Sequence, residues 1–252
     1  MKVSIITATY NSAASITASL DSVFSQNYAD IECIIIDGAS TDDTLSIIAA
    51  FQKKHTNIKV ISEADQGIYD ALNKGIKIAT GDLIGFIHSD DMLASPHIIS
   101  ELVLSLKKTE ASGVYGDLQY ISKLDISKVI RYWKSGVFSK SLLKRGWMPP
   151  HPALFLKKEV YQKHGSFNLS YKIAADYDFM LRILKDDTLT FSYLPKLFVK
   201  MRIGGASNKS LKNIIQKTKE DYRAITSNKI GNWLTLILKN FSKIKQFFQT
   251  SE

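Results

Sequence analysis

Acidic side chains recur where apolar runs end: Asp37 in IIIDGAS, Asp65 in SEADQG, and the adjacent pair Asp90 and Asp91 in HSDDML. If those runs are parallel strands, their carboxyl ends share one edge and the carboxylates converge on one crevice. The pair has no basic neighbour in sequence, and an uncompensated acid cluster repels itself unless a cation or ligand donors satisfy it. Mg²⁺ or Mn²⁺ suits such a site, because each takes oxygen ligands from one or two carboxylates and completes its shell with phosphate and water. Missing cysteine ligands argue against zinc, although His88 leaves some room for it. Adjacent aspartates after a strand equally suit a helix cap, and Asp90 and Asp91 precede a predicted helix.

The elements that must position these groups are legible as period and composition. Val3 to Thr9, Glu32 to Asp37, Ile58 to Ser62 and Leu83 to Ser89 are rich in Ile and Val without polar alternation, as in strands covered on both faces. Helical stripes separate them: Ala13 to Gln26, Thr41 to Lys54, Ile68 to Ala79, and Pro96 to Thr109 with proline at its start. The order βαβαβαβα predicts an α/β, Rossmann-like, mostly parallel sheet flanked by helices. Thr7, Thr9 and Tyr10 close the first strand, so the crevice gains an aromatic face; Tyr10 stacking and Asp37 accepting from a base N–H would suit a uracil-like ring. No GxGxxG or GxxxxGK[ST] loop is present, which leaves the dinucleotide and P-loop routes unsupported.

After Gly113 the pattern changes to separated extended pieces, Val114 to Ile121, Lys128 to Trp133, Ala153 to Leu156 and Phe191 to Arg202, with a helix from Asp176 to Leu184. By analogy with other nucleotide-dependent enzymes, residues 1–112 read as a nucleotide-binding half and 113–208 as a mixed half for the second substrate, with 209–252 as a basic helical tail. The formal net charge is +9, yet residues 1–195 hold 21 Lys+Arg against 21 Asp+Glu and residues 196–252 hold 12 against 3. Within the tail, Trp233, Ile237, Phe241, Ile244 and Phe248 share one helical face with Lys239 and Lys243 opposite. That arrangement suits an anionic membrane surface met through residues 231–252, a terminal helix packed on its own domain, or a partner protein. A lone cysteine, Cys33, points to a reducing compartment, and no run reaches the roughly 20 apolar residues that span a bilayer. The expected location is cytoplasmic, peripheral on the inner face of the cell membrane.

Taken together, VSIITATYN at 3–11, IIIDGASTDDT at 34–44, EADQGIYDALNKGIKIATGDLIGFIHSDD at 63–91 and AADYDFMLR at 174–182 resemble glycosyltransferase family 2, whose fold is called GT-A. The resemblance runs to about Gly205 and rests on the combined order and spacing of the motifs. It implies a nucleotide-sugar donor held by Tyr10 and Asp37 at the base and Asp90 at the ribose. Ala8, Asp65, Gly67, Asn73 and Lys74 would lie near the donor as well, although a solvated helix lysine is an ordinary fate for Lys74. It further implies Asp91 as ligand of Mn²⁺ or Mg²⁺ at the diphosphate, and Asp176 as the base that deprotonates an acceptor hydroxyl. The family motif usually reads Glu-Asp, and here Ala175 precedes Asp176; without the resemblance Asp176 reads as a helix N-cap. His88 and Ala8 also depart from the family's frequent residues.

In WMPPHPALF, Trp147 and His151 either line an acceptor site or pack a proline-rich loop, and IGGASN at 203–208 is either a closing element or an ordinary turn. The QxxRW motif and membrane spans of processive synthases are missing, which favours addition of one sugar per encounter. The expected activity is that of an inverting hexosyl- or hexosaminyltransferase acting from a UDP-sugar on a lipid-linked glycan in surface polysaccharide or lipopolysaccharide assembly. A nucleotidylyltransferase would need a glycine- and arginine-rich loop that TATYNSAAS does not supply. The alternative outside enzymes is a nucleotide- or nucleic-acid-binding module with a basic arm, although no nucleic acid partner is expected. Oligomeric state is not fixed by the sequence.

Overall fold

A computed structural model describes residues 1–204 and 210–246, with side chains placed up to Phe241. Most of IGGASN and the residue Phe248 lie outside the described residues.

Four strands open the sheet: β1 (Val3–Thr9), β2 (Ile31–Asp37), β3 (Ile58–Ser62) and β4 (Leu83–Phe86). They run parallel in the order β3-β2-β1-β4, with Thr9 paired to Asp37 and Asp37 to Ser62 at the carboxyl edge. Helices α1 (Ile16–Phe24), α2 (Thr44–Gln52) and α3 (Ile68–Ile78) make the crossovers. Because strand side chains alternate, Ile6, Ile34, Ile36 and Phe86 pack one way toward α3, while Ile5, Cys33 and Ile35 pack the other way toward α1, α2 and α4 (Ile98–Thr109). Both faces are thereby covered, which explains why these strands read as unbroken apolar runs.

The second half extends the same sheet. Beyond β4 come β8 (Leu154–Lys157), β6 (Gly113–Ile121), β9 (Phe191–Arg202) and the short β5 (Asp91–Leu93), while β7 (Val129–Trp133) forms a hairpin with β6. Strand β5 pairs antiparallel with β9, setting Asp91 opposite Met201. Asp91 is therefore a strand residue and caps no helix; α4 starts at Ile98 after His97.

Helices α5 (Lys158–His164) and α6 (Ala175–Leu184) follow, then α7 (Leu211–Ser227) and α8 (Trp233–Gln246). Helix α6 is buried almost throughout, and Ala224 and Ile225 of α7 join the core beside it. Among the described residues, no helix is long and apolar enough to cross a membrane.

Candidate active site

Loops leaving β1 and β2 are laced together before any ligand is considered. Asn11 Oδ1 accepts from the Thr41 amide at 2.9 Å, and the Asn11 and Ser12 amides donate to Ser40 Oγ and Thr44 Oγ1, each at 2.8 Å. Asn11 and Ala39 hold left-handed backbone at φ 47° and 60°, a cost of order 1–3 kcal/mol each that a well-anchored loop can sustain. The anchor is Asp37. Fully buried, it accepts from the Ser40 amide and hydroxyl at 2.9 and 2.5 Å and from Ser62 Oγ at 2.7 Å. Its carboxylate thus already serves the protein at three points.

Above this anchor Tyr10 stands 62% exposed. Gly38 lets it approach the loop after β3: a Cβ at position 38 would meet Asp65 Oδ2 at 2.8 Å and the Tyr10 ring at 3.4 Å. Asp65 Oδ1 in turn accepts from the Gly67 amide at 2.8 Å, and Gly67, at φ 115°, turns the chain into α3. Ala8 sits buried one residue before the end of β1. Asn73 and Lys74 are engaged elsewhere. The Asn73 amide pairs with both backbone groups of Phe167, at 2.8 and 2.9 Å, and Lys74 Nζ bonds Glu63 and Asp70 at 2.9 and 3.3 Å. Both side chains fix loops around α3.

The turn from β4 to β5 is held from the α1 side. Ser19 Oγ donates to the His88 carbonyl at 2.9 Å, Ser12 and Ser89 hydroxyls meet at 2.8 Å, and the Asp91 amide closes onto the His88 carbonyl at 3.0 Å. Asp91 is fully buried, and neither of its carboxylate oxygens has a hydrogen-bond partner in the protein. Burial pushes its pKa well above the ordinary aspartate value and Asp90 pushes it further, while Arg202 opposes both through its guanidinium charge and its nearby backbone N–H. Arg202 enters from the end of β9 and donates to the Asp90 carbonyl at 3.2 Å. The acidic pair thus has a basic neighbour in space that sequence proximity did not reveal.

Asp176 occupies the first turn of α6 and is not the N-cap residue, a position held by Ala174. Its Oδ1 accepts from the Tyr69 hydroxyl at 3.0 Å and the Tyr177 amide at 2.8 Å. Nearby, His151 is buried with Nε2 unpartnered, stacked at an angle on Phe86 and 6.2 Å ring to ring from His88. Burial lowers the His151 pKa to about 4 despite the Asp176 charge, with His88 adding to the drop, so the imidazole is neutral at pH 7. Trp147 is half-buried between Phe138 and Tyr115 and donates from Nε1 to the Ser135 carbonyl at 3.0 Å. Asp178 faces inward, bound by Arg182 at 3.0 Å and Asn228 at 2.9 Å, and so has no capacity to serve as a rival base.

Two residues hold the start of α6 in place: Glu220, which the sequence did not single out, and Lys239, which it placed only on the polar face of the terminal helix. Glu220 of α7 accepts from the Lys172, Ile173 and Ala174 amides at 3.1, 2.8 and 2.9 Å, fixing the segment that leads into Asp176. Lys239 of α8, 2% exposed, pairs with Asp221 at 2.7 Å and lies 3.0 Å over the Tyr177 ring. Its stem fills the space that Gly146 leaves open just before Trp147. Neither signal was visible in sequence, because both partners lie tens of residues away.

Unpartnered buried polar atoms gather at this edge: Thr7 and Thr9 Oγ1, His88 Nδ1, His151 Nε2 and both oxygens of Asp91. Among the described residues no three His, Cys, Asp or Glu side chains form a metal cage. What the protein does offer is an oxygen-only pair, Asp91 with Asp90, which fits a cation whose remaining ligands come from substrate phosphate and water.

Comparison with known proteins decides the ancestry of this site. Residues 4–155 match the model for "Glycosyl transferase family 2". The chain belongs to glycosyltransferase family 2. A "PGL/p-HBAD biosynthesis glycosyltransferase" of Mycobacterium bovis is 33% identical over 210 residues, covering 81% of this transferase and 78% of that protein. An uncharacterized glycosyltransferase of Mycobacterium tuberculosis is 34% identical over 184 residues, 71% of this chain and 68% of its own. In fold the enzyme resembles Staphylococcus aureus TarS 1-349 in complex with UDP-GlcNAc, with TM-score 0.69 and 19% identity over 89% of this chain and 66% of that one. The mannosyltransferase PcManGT of Pyrobaculum calidifontis, in complex with GDP-Man and Mn²⁺, aligns over 100% of this chain and 76% of its own at TM-score 0.63 and 17% identity. This transferase therefore has the GT-A architecture that its motifs imply.

Proposed function

We propose that the enzyme is a metal-dependent, inverting transferase that moves one hexosyl or hexosaminyl unit from a UDP-sugar to a lipid-linked glycan acceptor in cell-surface polysaccharide assembly. One observation carries the reading: a fully buried aspartate, Asp91, keeps both oxygens unpartnered, and it shares its surroundings with Asp176, since the charges of both act on Tyr120 while those of Asp90 and Asp176 act on His88. A buried carboxylate left in that state costs stability unless a cation completes it.

In this reading residues 1–112 bind the donor. Tyr10 stacks on the base, and Asp37 shapes the loop that receives it. Asp65, Gly67 and Ala8 line the same pocket, with Asn73 and Lys74 holding its rim, and Asp90 accepts from the ribose. Asp91 would hold Mn²⁺ or Mg²⁺, which, when bound, neutralises the departing diphosphate. Residues 113–208 bring the acceptor, with Trp147 and His151 in the wall behind it, and α7 and α8 brace the start of α6. Asp176 takes the proton of the acceptor hydroxyl through its uncommitted oxygen while the Tyr69 hydroxyl fixes the other. The acceptor oxygen attacks the anomeric carbon from the face opposite the diphosphate, the glycosidic bond to phosphate breaks, and configuration inverts.

The relatives support the donor class. Structures named as complexes with UDP, UDP-GlcNAc and GDP-Man share the fold. The test is release of UDP from a panel of UDP-sugars with Mn²⁺. Turnover is expected in the wild type and falls by about 10²–10⁴-fold in Asp176→Asn with UDP affinity retained. Wild-type turnover in Asp176→Asn would remove this residue from the mechanism.

A further inference from the structure

An amphipathic terminal helix ordinarily turns its apolar stripe inward. Here α8 does the reverse. Thr235 and Lys239 face the domain, at 4% and 2% exposure, while Trp233, Leu234, Ile237, Leu238 and Phe241 face outward, Phe241 at 63%. The inward face is committed: Lys239 is held by Asp221 and Tyr177, and Thr235 packs on Gly231. Rotating the helix to hide its apolar stripe would bury those residues only by breaking these contacts.

Helix α7 repeats the arrangement. Leu211, Ile214, Ile215 and Tyr222 follow helical spacing and are exposed, while Glu220, Asp221, Ala224 and Ile225 are buried. Charge sorts the same way. Glu220 and Asp221 are the acidic residues between positions 196 and 246, and both turn inward to protein partners. Lys212, Lys219 and Lys229 remain on the outside. The outer surface of the two helices therefore combines exposed aromatic and aliphatic side chains with cations and no exposed carboxylate among the described residues.

We infer that the outward faces of α7 and α8 dock the enzyme on an anionic lipid bilayer, the apolar side chains entering the headgroup boundary and the lysines meeting lipid phosphate. Protein interfaces are depleted of lysine, whereas an anionic bilayer surface rewards lysines beside aromatic residues. Bilayer binding and donor binding engage different residues, so each is measured without the other.

The full chain is sedimented with vesicles of phosphatidylcholine alone or with phosphatidylglycerol added. Binding is expected to phosphatidylglycerol vesicles and to weaken with salt. Ile237→Glu/Phe241→Glu, at exposed positions, is expected to lower partitioning by roughly tenfold or more while UDP affinity stays unchanged. Lys212→Glu/Lys219→Glu is expected to lower it less and to flatten the salt dependence. Equal binding to both vesicle types, no binding to either, or a concentration-dependent dimer abolished by Ile237→Glu/Phe241→Glu would each overturn the inference.

Discussion

The ends of β2 and β5 carry the same chemical group in opposite conditions. Asp37 and Asp91 are both fully buried aspartates at the carboxyl edge of the sheet. Asp37 receives three hydrogen bonds from Ser40 and Ser62, and Asp91 receives none. Satisfied, the first is a fastening for the loop beneath Tyr10. Unsatisfied, the second is a stored electrostatic cost that a cation would relieve. Burial alone therefore does not separate these two carboxylates; the partner inventory does. Glu32, at the opposite end of β2, extends the point. Although burial raises its pKa, hydrogen bonds from Ser4, Thr80 and Lys59 outweigh burial and hold it well below the usual range.

The contrast breaks first at Asp91. Asp91→Asn is expected to cut kcat by about 10³-fold, the scale of losing a preorganised electrostatic stabiliser. The same change is expected to stabilise the metal-free protein by about 1 kcal/mol, because the burial cost and the repulsion from Asp90 that Arg202 only partly offsets both disappear. Asp37→Ala should do the converse, lowering unfolding free energy by about 3 kcal/mol in denaturant titration, since the Ser40 and Ser62 donors lose their acceptor. A stability gain at Asp37 or a comparable loss at Asp91 would dissolve the distinction.

Glu220→Ala sharpens it from a distance. Removing the acceptor for the Lys172, Ile173 and Ala174 amides should lower kcat by about tenfold through misplacement of Asp176, with UDP affinity unchanged. The smallest effect concerns pH. Because burial, with His88, depresses the His151 pKa to about 4, the unfolded chain binds the extra proton first as pH falls below the ordinary histidine value of about 6.5. The stability attached to neutral His151 is complete above that value and is lost between it and about pH 4. Its NMR ring signals should stay flat until below pH 5, and an inflection near 6.5 would contradict its burial.

How much of this was legible beforehand divides along sequence distance. Strands β1 and β3 follow from Ile- and Val-rich runs and β9 from an extended aromatic and aliphatic piece, with Val3–Thr9, Ile58–Ser62 and Phe191–Arg202 matching the expected bounds. The acidic residues at the strand ends were found because parallel topology fixes where such ends gather. Strand β5 was hidden, since three residues carry no period and its existence depends on β9, more than a hundred positions away. Helix α5 was too short to announce itself. Of the stripe expected on α8, Trp233, Ile237 and Phe241 are exposed together, and the buried side is that of Lys239, since an ion pair and an aromatic face await it there. Arg202 and Glu220 act through partners remote in sequence, so composition gave no sign of them, and Asn73, expected near the donor, is bound instead to the Phe167 backbone.

The most direct test of the central claim is calorimetric titration of UDP into the wild type and Asp91→Asn, each with and without Mn²⁺. The account predicts that Mn²⁺ strengthens UDP binding in the wild type and makes no difference in the variant. Equal enhancement by Mn²⁺ in both proteins would show that the cation is held elsewhere and that the unpartnered carboxylate of Asp91 has another purpose.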